Sequence, residues 1–504
     1  MVEQSLWRAE KRPTLPDRPL PNEVDVVVVG GGITGLTTAY LLKKSGKRVA
    51  VLDRERIGSG ETGNTSAHVT CVTDERITAL AKQFGDDRAR VAWEVGARAI
   101  DLIESNAFEG GIECKFRRVP GYLCAPFFDD AKLREQIDAI HADAELAARL
   151  GFPVTFTESG PLTGKPALAI ADQAIFHPLE YLAGLALAID GDGSIVRERC
   201  EVGEVIDDPL AVVVDGRNIA CADLVIATHV PMVGIRNLVA ATLFQTKLYP
   251  YSTYILGARL PDGSIAPGLY DDTTDPYFYL RVHEDAEGLY AVFGGEDHKT
   301  GQETNTEACY SRLEKALCRL LPKAKIDRRW SGQVIETSDG LPFIGEVAGH
   351  QYVATGYAGN GLTFGTAAGM IIHDAITGAK NPWRDLFDPR RKATSASALR
   401  TLVEENVDYP LHFVADRLRQ SKSLGVENVP RGEGRVVVID GQRAAVHRKD
   451  DGTVIKVSAV CTHMGCIVRW NNAERTWDCP CHGSRFTPEG LVLGGPAEAP
   501  LEPL

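Results

Sequence analysis

Two short segments near the C-terminus combine thiol and imidazole groups, which are common ligands of transition metals. Cys461 and His463 form a C-x-H pair, and Cys479 and His482 form a C-x-x-H pair. Zinc ligands are usually spaced as C-x₂₋₄-C and H-x₃₋₅-H pairs instead. Two loops that each supply one thiolate and one imidazole favour a [2Fe–2S] centre, in which two cysteines bind one iron and two histidines bind the other.

A glycine-rich turn near the N-terminus has the spacing of a dinucleotide-binding site. Gly30, Gly32 and Gly35 form G-x-G-x-x-G between a β-branched run at 24–29 and a helical pattern, and the next predicted strand ends at Asp53. The glycines permit the tight turn, the approach of the backbone to a pyrophosphate and the packing of helix on sheet. The helix N-terminus supplies N–H groups, and the Asp53 carboxylate can accept from ribose hydroxyls. This motif alone does not distinguish NAD from FAD.

Three later segments add to the predicted nucleotide site. Residues 220–228 predict a buried strand that returns to the nucleotide, and D-G-L-P-F-I-G at 339–345 precedes another strand at 351–355. G-Y-A-G-N-G at 356–361 then starts a helix that ends at Gly378. The N-terminus of this helix can direct N–H groups at a developing negative charge.

With these motifs the sequence resembles the D-amino-acid oxidase superfamily of FAD-dependent amine and amino-acid oxidoreductases over residues 24–380. The quoted motifs and G-S-G-E-T-G-N-T-S-A-H at 58–68 carry the resemblance. It implies FAD, held non-covalently, in a Rossmann-type α/β domain with an interleaved α+β substrate domain. His68, beside the flavin ring, is the candidate catalytic base, with a purely structural histidine as the alternative. The residues implicated in binding FAD are Gly30, Gly32, Gly35, Asp53, Thr62, Ser66, Ala67, Val202, Ala227, Thr228, Asp339, Gly359, Asn360, Gly361, Leu362 and Thr363.

One departure from this superfamily bears on the substrate. Its amino-acid oxidases have an arginine for the substrate carboxylate just before D-G-x-P, and alignment on Trp330 and Asp339 places Val334 at that position. Without the guanidinium fork, bidentate recognition of an α-carboxylate is lost there. An amine substrate is therefore favoured. A second strand-following G-x-G-x-x-G is missing from the sequence, which disfavours reduction by NAD(P)H through a second dinucleotide domain.

The C-terminal segment resembles the Rieske family over residues 425–504, where short alternating strands predict a small all-β domain. The resemblance makes Cys461, His463, Cys479 and His482 the cluster ligands, and it matches Cys466 and Cys481 to the disulfide pair of the cytochrome bc type. Ser484 matches a hydroxyl that donates to a bridging sulfide, whereas Phe486 replaces a tyrosine donor. Because one of the two hydrogen-bond donors to the cluster is present and the other is missing, we expect an intermediate reduction potential.

Composition and charge limit the organisation and the partners. The chain has 504 residues, 44% hydrophobic and 24% charged, which is typical of several globular domains. The formal net charge of −13 disfavours nucleic acid. The N-terminus lacks an export signal and the apolar stretch at 24–42 divides into a strand and a helix, so we expect a cytoplasmic protein without a membrane span.

The expected parts are an extension (1–23), the oxidoreductase (24–380, with FAD-binding segments at 24–75, 195–235 and 330–380), a linker (381–424) and the Rieske domain (425–504).

Together these features predict a dehydrogenase. A small organic substrate, an amine by analogy, is oxidised at the flavin, and electrons pass one at a time through the cluster to a soluble acceptor protein. Two alternatives stay open at this point. Electrons from a soluble donor protein could run the other way, which would make a reductase, or the protein could be a redox-responsive binding protein with a silent flavin site.

Overall fold

The computed structural model describes residues 1–9, 14–128, 130–231, 246–274, 276–392, 395, 398–406 and 425–504. Residues 407–424 of the expected linker and 232–235 of the expected FAD-binding segment lie outside this set. The strands are β1 (Glu23–Val29), β2 (Val49–Leu52), β3 (Arg117–Cys124), β4 (Val154–Thr157), β5 (Ala167–Ile175), β6 (Ile195–Arg197), β7 (Glu204–Asp207), β8 (Leu210–Val214), β9 (Arg217–Ile226), β10 (Leu248–Arg259), β11 (Gly268–Asp272), β12 (Tyr279–Asp285), β13 (Gly288–Lys299), β14 (Lys325–Thr337), β15 (Phe343–Ala348), β16 (Gln351–Thr355), β17 (Gly434–Ile439), β18 (Gln442–Arg448), β19 (Val454–Ser458), β20 (Arg469–Asn471), β21 (Thr476–Asp478), β22 (Arg485–Phe486) and β23 (Val492–Gly494). The α-helices are α1 (Ile33–Lys44), α2 (Ile77–Phe84), α3 (Asp86–Glu109), α4 (Leu133–Arg149), α5 (Pro178–Ile189), α6 (Thr306–Leu320), α7 (Gly361–Thr377) and α8 (Arg384–Phe387), and the 3-10 helices are Leu6–Ala9, Glu61–Gly63 and Val426–Asn428.

The first sheet is of the Rossmann type. Its main path runs β15-β16-β9-β1-β2-β6, and β1 pairs in parallel with both β2 and β9. The hydrophobic run of β1 is buried because helices and neighbouring strands cover both of its faces. The helix α1 connects β1 to β2, so its N-terminus lies at the carboxyl end of the central strand, where α/β sheets bind nucleotides.

A second sheet lies between the segments of the first one in sequence. Its strand order is β14-β10-β13-β12-β11-β3-β5-β4, and most neighbours are antiparallel. The helix α6 packs on β10 and β13. This is the α+β domain expected to be interleaved with the FAD-binding domain, and the expectation is confirmed.

The C-terminal part consists of two small antiparallel sheets, β17-β18-β19 and β20-β21-β22-β23. Trp477 and Phe486 are fully buried in a core of their own, separate from the three larger ones. The predicted small all-β domain is thus confirmed.

The N-terminal extension packs against the segment that follows β2. Trp7 is buried, its Nε1 donates to the carbonyl of Thr65 at 2.6 Å, and the Arg281 guanidinium lies 4.8 Å from the indole. Among the described residues, every helix is too short or too polar to span a bilayer.

Candidate functional site

The turn between β1 and α1 has the close backbone contacts that the glycine motif predicts. Gly30 has φ +106°, and a Cβ there would lie 2.5 Å from the carbonyl oxygen of Ala227 at the end of β9. A Cβ on Gly35 would lie 1.9 Å from the carbonyl oxygen of Gly30. Only glycine fits at these two positions, and the result is a helix N-terminus pressed against the sheet.

Asp53 lies at the end of β2, beside this turn. Its Oδ2 accepts from the N–H of Gly31 at 2.7 Å and its Oδ1 from the N–H of Glu55 at 2.8 Å. Burial raises the pKa of the carboxyl, and the backbone N–H groups oppose that shift. Each oxygen keeps a further lone pair, so the carboxylate can also accept from a ribose hydroxyl.

The second glycine-rich helix, α7, packs directly on α1. A Cβ on Gly365 would lie 2.7 Å from Ile33 Cγ2, and one on Gly369 would lie 2.8 Å from Thr37 Cγ2. The hydroxyl of Tyr357, just before α7, lies 2.8 Å from Thr34 Oγ1 in α1. Because of these contacts, the N-termini of the two helices lie side by side.

Both N-termini leave donors for a ligand. The residues that precede α1 and α7 are Gly32 and Asn360, and neither caps its helix with a side chain within the described structure. The amide of Asn360 instead donates to the carbonyl of Val72 at 2.7 Å. In α7, Thr363 Oγ1 is buried without a hydrogen-bond partner among the described residues. Two positive helix ends and a buried, unsatisfied hydroxyl fit an anionic dinucleotide such as FAD.

The segment at 58–68 runs past these helix ends. Thr62 Oγ1 accepts from the N–H of Ile33 at 3.2 Å, and Ala67 has φ +58° with its carbonyl accepting from the Arg281 guanidinium at 3.1 Å. Ser66 Oγ lies 3.1 Å from His68 Nδ1. The structure therefore brings this predicted segment to the same site as the glycine turn.

Three other predicted FAD residues, Val202, Thr228 and Asp339, make contacts within the protein. Val202 is buried in the core beneath the sheet, and Thr228, next to Ala227, donates to the carbonyl of Val230. Asp339 makes a bidentate ion pair with Arg391, with both N–O distances 2.7 Å. The Asp339 carboxylate thus fixes the D-G-L-P turn, and Arg391 comes from the segment expected to be a linker.

His68 is buried beside Asp271 and Tyr279 of the substrate domain. Burial, and after it the charge of Arg281, lowers its pKa to about 3, so the imidazole is neutral at physiological pH. Its Nε2 lies 3.6 Å from Asp271 Oδ1, and its ring meets Tyr279 edge-on at 5.4 Å. A neutral imidazole of such low pKa holds a proton poorly, which suits a positioning role better than that of a base.

Asp271, beside His68, has a pKa raised toward neutrality. Burial, followed by the charges of Asp272 and Asp74, raises its pKa to about 7. Sequence reasoning missed this residue because nothing in the local pattern of β11 marks it. The contact with His68 forms only when two segments about 200 residues apart in the chain meet.

The four predicted metal ligands lie together in the C-terminal domain. The rings of His463 and His482 are 4.8 Å apart between centroids, and a hydrogen bond from the Cys479 thiol lowers the pKa of Cys461 to about 7. Burial lowers the pKa of His463 to about 4; burial and the neighbouring His463 lower that of His482 to about 3.

Both ligand loops are closed by tight turns. Gly465 donates to the carbonyl of Cys461 and Gly483 donates to that of Cys479. The Nδ1 of His463 is buried with no hydrogen-bond partner in the described part of the chain. Neutral imidazoles, a buried unsatisfied ring nitrogen and two adjacent sulfurs fit the donor set of a [2Fe–2S] cluster.

A disulfide between Cys466 and Cys481, with an S–S distance of 2.04 Å, joins the two loops and confirms the predicted pair. The sulfurs of these two residues and of Cys479 lie within 4.8 Å of one another. Because two of the three are oxidised, they do not form a thiolate site of their own. Beside them, the fully buried Ser484 donates to the sulfur of Cys461 and accepts from the N–H of Ala497 at 3.1 Å.

Comparison with known families accounts for both halves of the chain. A family model described as FAD dependent oxidoreductase matches residues 25–375. The chain belongs to this family of FAD-dependent oxidoreductases. A second model, the Rieske [2Fe-2S] domain, matches residues 421–504. The cofactors of this FAD-dependent oxidoreductase are accordingly FAD and a [2Fe–2S] cluster, as the motifs predict.

Some relatives of this oxidoreductase match nearly the whole chain, and others match about 70% of it. It is 32% identical to YhfW of Bacillus subtilis, named as a Rieske 2Fe-2S iron-sulfur protein, over 99% of this chain and 97% of that one. It is 28% identical to gamma-glutamylputrescine oxidoreductase of Escherichia coli over 70% of this chain and 84% of the relative. Glycine oxidase from Geobacillus kaustophilus has the same fold over 74% of this chain and 100% of its own, with a TM-score of 0.61 and 19% identity.

Proposed function

We propose that this oxidoreductase is a dehydrogenase that oxidises a C–N bond of a small amine at FAD and sends the electrons singly through the Rieske cluster to an external acceptor. The observation that carries the proposal is the packing of the cluster-ligand loop, residues 479–484, on the oxidoreductase domain. Gln333 Nε2 donates to the carbonyl of Gly483 at 3.0 Å, and Gln302 Nε2 donates to that of Pro480 at 3.3 Å. A cluster held against the catalytic domain can exchange electrons with it.

The electron balance requires a one-electron acceptor. Oxidation of one CH–NH unit to C=N releases two electrons and two protons, so two equivalents of an acceptor such as ferricyanide are reduced for each amine. The residues that would hold FAD are those of the two helix ends and the segment at 58–68. When bound there, FAD supplies the two-electron oxidation, and the positive end of α7 favours the negative charge that develops on reduction.

The choice of an amine rests on the substrate side of the site. Val334 stands where amino-acid oxidases of the family have an arginine, so this position offers no guanidinium to bind a carboxylate. The carboxyl of Asp271 instead offers a negative charge to a cationic amine. Two relatives are named for nitrogen compounds, gamma-glutamylputrescine and glycine, which supports chemistry at C–N bonds.

Anaerobic titration tests the proposed function. An amine is expected to bleach the flavin absorbance first, and the EPR signal of the reduced cluster is expected to follow. Amines without an α-carboxylate should reduce the flavin faster than the matching α-amino acids. Bleaching without cluster reduction would contradict the relay, and a flavin that no primary or secondary amine bleaches would contradict amine oxidation.

The pH dependence of flavin reduction follows from Asp271. The rate is expected to rise as the pH increases through about 7, because the pKa of this carboxyl is raised to about 7 and only its ionised form attracts a cationic amine or accepts its proton. Stopped-flow measurements should show the transition in the wild type and lose it in Asp271→Asn. In Asp272→Asn the transition should persist at lower pH, since a negative neighbour is removed. An unchanged profile in Asp271→Asn would show that another group titrates.

A further inference from the structure

The cluster-ligand loop, residues 479–484, packs against the end of β14 and its neighbours. We propose that Gln333 is a positioning residue for electron transfer, because it joins this loop to the flavin-binding segment at 58–68. The inference rests on the proposed function and goes further by naming the route between the two cofactor sites.

Gln333 contacts both cofactor segments at once. Its side-chain Nε2 donates to the carbonyl of Gly483, next to the ligand His482, at 3.0 Å. Its backbone N–H donates to Glu61 Oε2 at 2.7 Å. Glu61 precedes Thr62, whose hydroxyl accepts from the N-terminus of α1 at 3.2 Å. A single residue therefore links the cluster loop to the dinucleotide turn through short hydrogen bonds.

The contact is buried and closely packed. Gln333 is 4% exposed, and its Nε2 also lies within hydrogen-bond distance of Thr300 Oγ1, at 3.2 Å. Gly483 has φ +67°, and a Cβ there would lie 2.4 Å from Pro250 Cγ. A Cβ on Gly301 would lie 2.8 Å from the carbonyl carbon of Cys479. The ligand loop therefore has little room to shift relative to the second sheet, to which β10, β13 and β14 all belong.

The side chains on the two faces of β14 point toward different sites. Successive side chains of a strand point to opposite faces. Gln333, on one face, bonds the cluster loop, and Val334, which stands where the substrate-binding arginine of amino-acid oxidases is missing, points to the other. The strand thus separates the proposed substrate side from the cluster by the thickness of one backbone.

Charge reinforces the same contact. Arg485 of the C-terminal domain is buried, which disfavours its charge, but the carboxylates of Glu474, Asp478 and Glu61 outweigh burial and hold its pKa above the ordinary value. Glu61, in the flavin-binding segment, therefore attracts a guanidinium that follows the ligand loop in sequence. This attraction crosses the domain boundary at the same place as the Gln333 hydrogen bonds.

The experiment compares Gln333→Met with Gln302→Met in the full-length holoenzyme. Both substitutions remove a side-chain hydrogen bond to a carbonyl of the same loop. Gln333→Met keeps the backbone bond to Glu61 but disconnects the loop from it, whereas Gln302 makes no contact with the flavin-binding segment among the described residues. The flavin is reduced photochemically, so that the measurement does not depend on an amine, and electron transfer is followed by the EPR signal of the reduced cluster. Gln333→Met is expected to slow cluster reduction about tenfold, which corresponds to about 1.4 kcal/mol in the barrier. Gln302→Met is expected to slow it less than twofold.

Two further readouts separate positioning from other effects. Hydrogen exchange of the peptide containing residues 479–486 should become faster in Gln333→Met, and the midpoint potential of the cluster should stay unchanged. Equal slowing in both variants, unchanged transfer in Gln333→Met, or a shifted potential would each overturn the proposal. If Gln333→Met does not fold, Gln333→Asn, whose shorter amide cannot reach Gly483, replaces it. Because photoreduction does not need a substrate, the result can be interpreted even if the protein does not oxidise amines.

Discussion

Replacement of His482 by alanine is expected to abolish cluster reduction while the substrate still bleaches the flavin. His482 and His463 have ring centroids 4.8 Å apart, and in the proposed set the second iron would be bound to the protein by these two imidazoles alone. Loss of that ligand should remove the EPR signal of the reduced cluster and the reduction of ferricyanide. The flavin site lies in a different core, so FAD content and the rate of bleaching should stay at wild-type levels.

A matched control lies in the same domain. His447 is also buried, but its ring stacks on Trp470 and its Nδ1 lies 3.1 Å from the carbonyl of Glu433, away from the ligand loops. His447→Gln is expected to keep the EPR signal. If bleaching and cluster reduction both fail in His482→Ala, the assignment of substrate oxidation and electron transfer to two separate sites is wrong. If the signal persists unchanged, His482 is not a ligand.

What the sequence could predict depends on how local the signal is. The ligand pairs Cys461 and His463, and Cys479 and His482, are each close in sequence, and so are the three glycines of the first turn. Their chemistry can be read from spacing because one loop or one turn fixes their geometry. The family resemblance then supplied the cofactors and the fold class, and both are confirmed.

The features that the sequence did not reveal arise from distant contacts. Gln333 and Gly483 are 150 residues apart in the chain, and no motif marks either of them as a partner of the other. The raised pKa of Asp271 results from enclosure by several segments. Arg391, in the expected linker, completes an ion pair with Asp339 that tethers that segment to the FAD-binding domain. Positions of this kind follow from packing, which a local pattern does not encode.

Substitution of Gly35 by alanine is expected to yield a protein without FAD. A Cβ at this position would lie 1.9 Å from the carbonyl oxygen of Gly30, so α1 must move away from the turn that holds the pyrophosphate. Forcing atoms into such a packed contact costs about 1–3 kcal/mol or more, and the displaced helix end no longer directs its N–H groups at the ligand. Flavin absorbance per chain and the melting temperature should both fall.

The control is Gly349→Ala, in the turn between β15 and β16. A Cβ there would meet no atom of the described structure within 4 Å, and Gly349 is not among the glycines with positive φ. Its FAD content and melting temperature should match the wild type. The EPR signal of a chemically reduced cluster should persist in Gly35→Ala, because the C-terminal domain has its own core. A Gly35→Ala protein that retains one FAD per chain would mean that the turn tolerates a shift of α1, and the assignment of the pyrophosphate to this helix end would have to be abandoned.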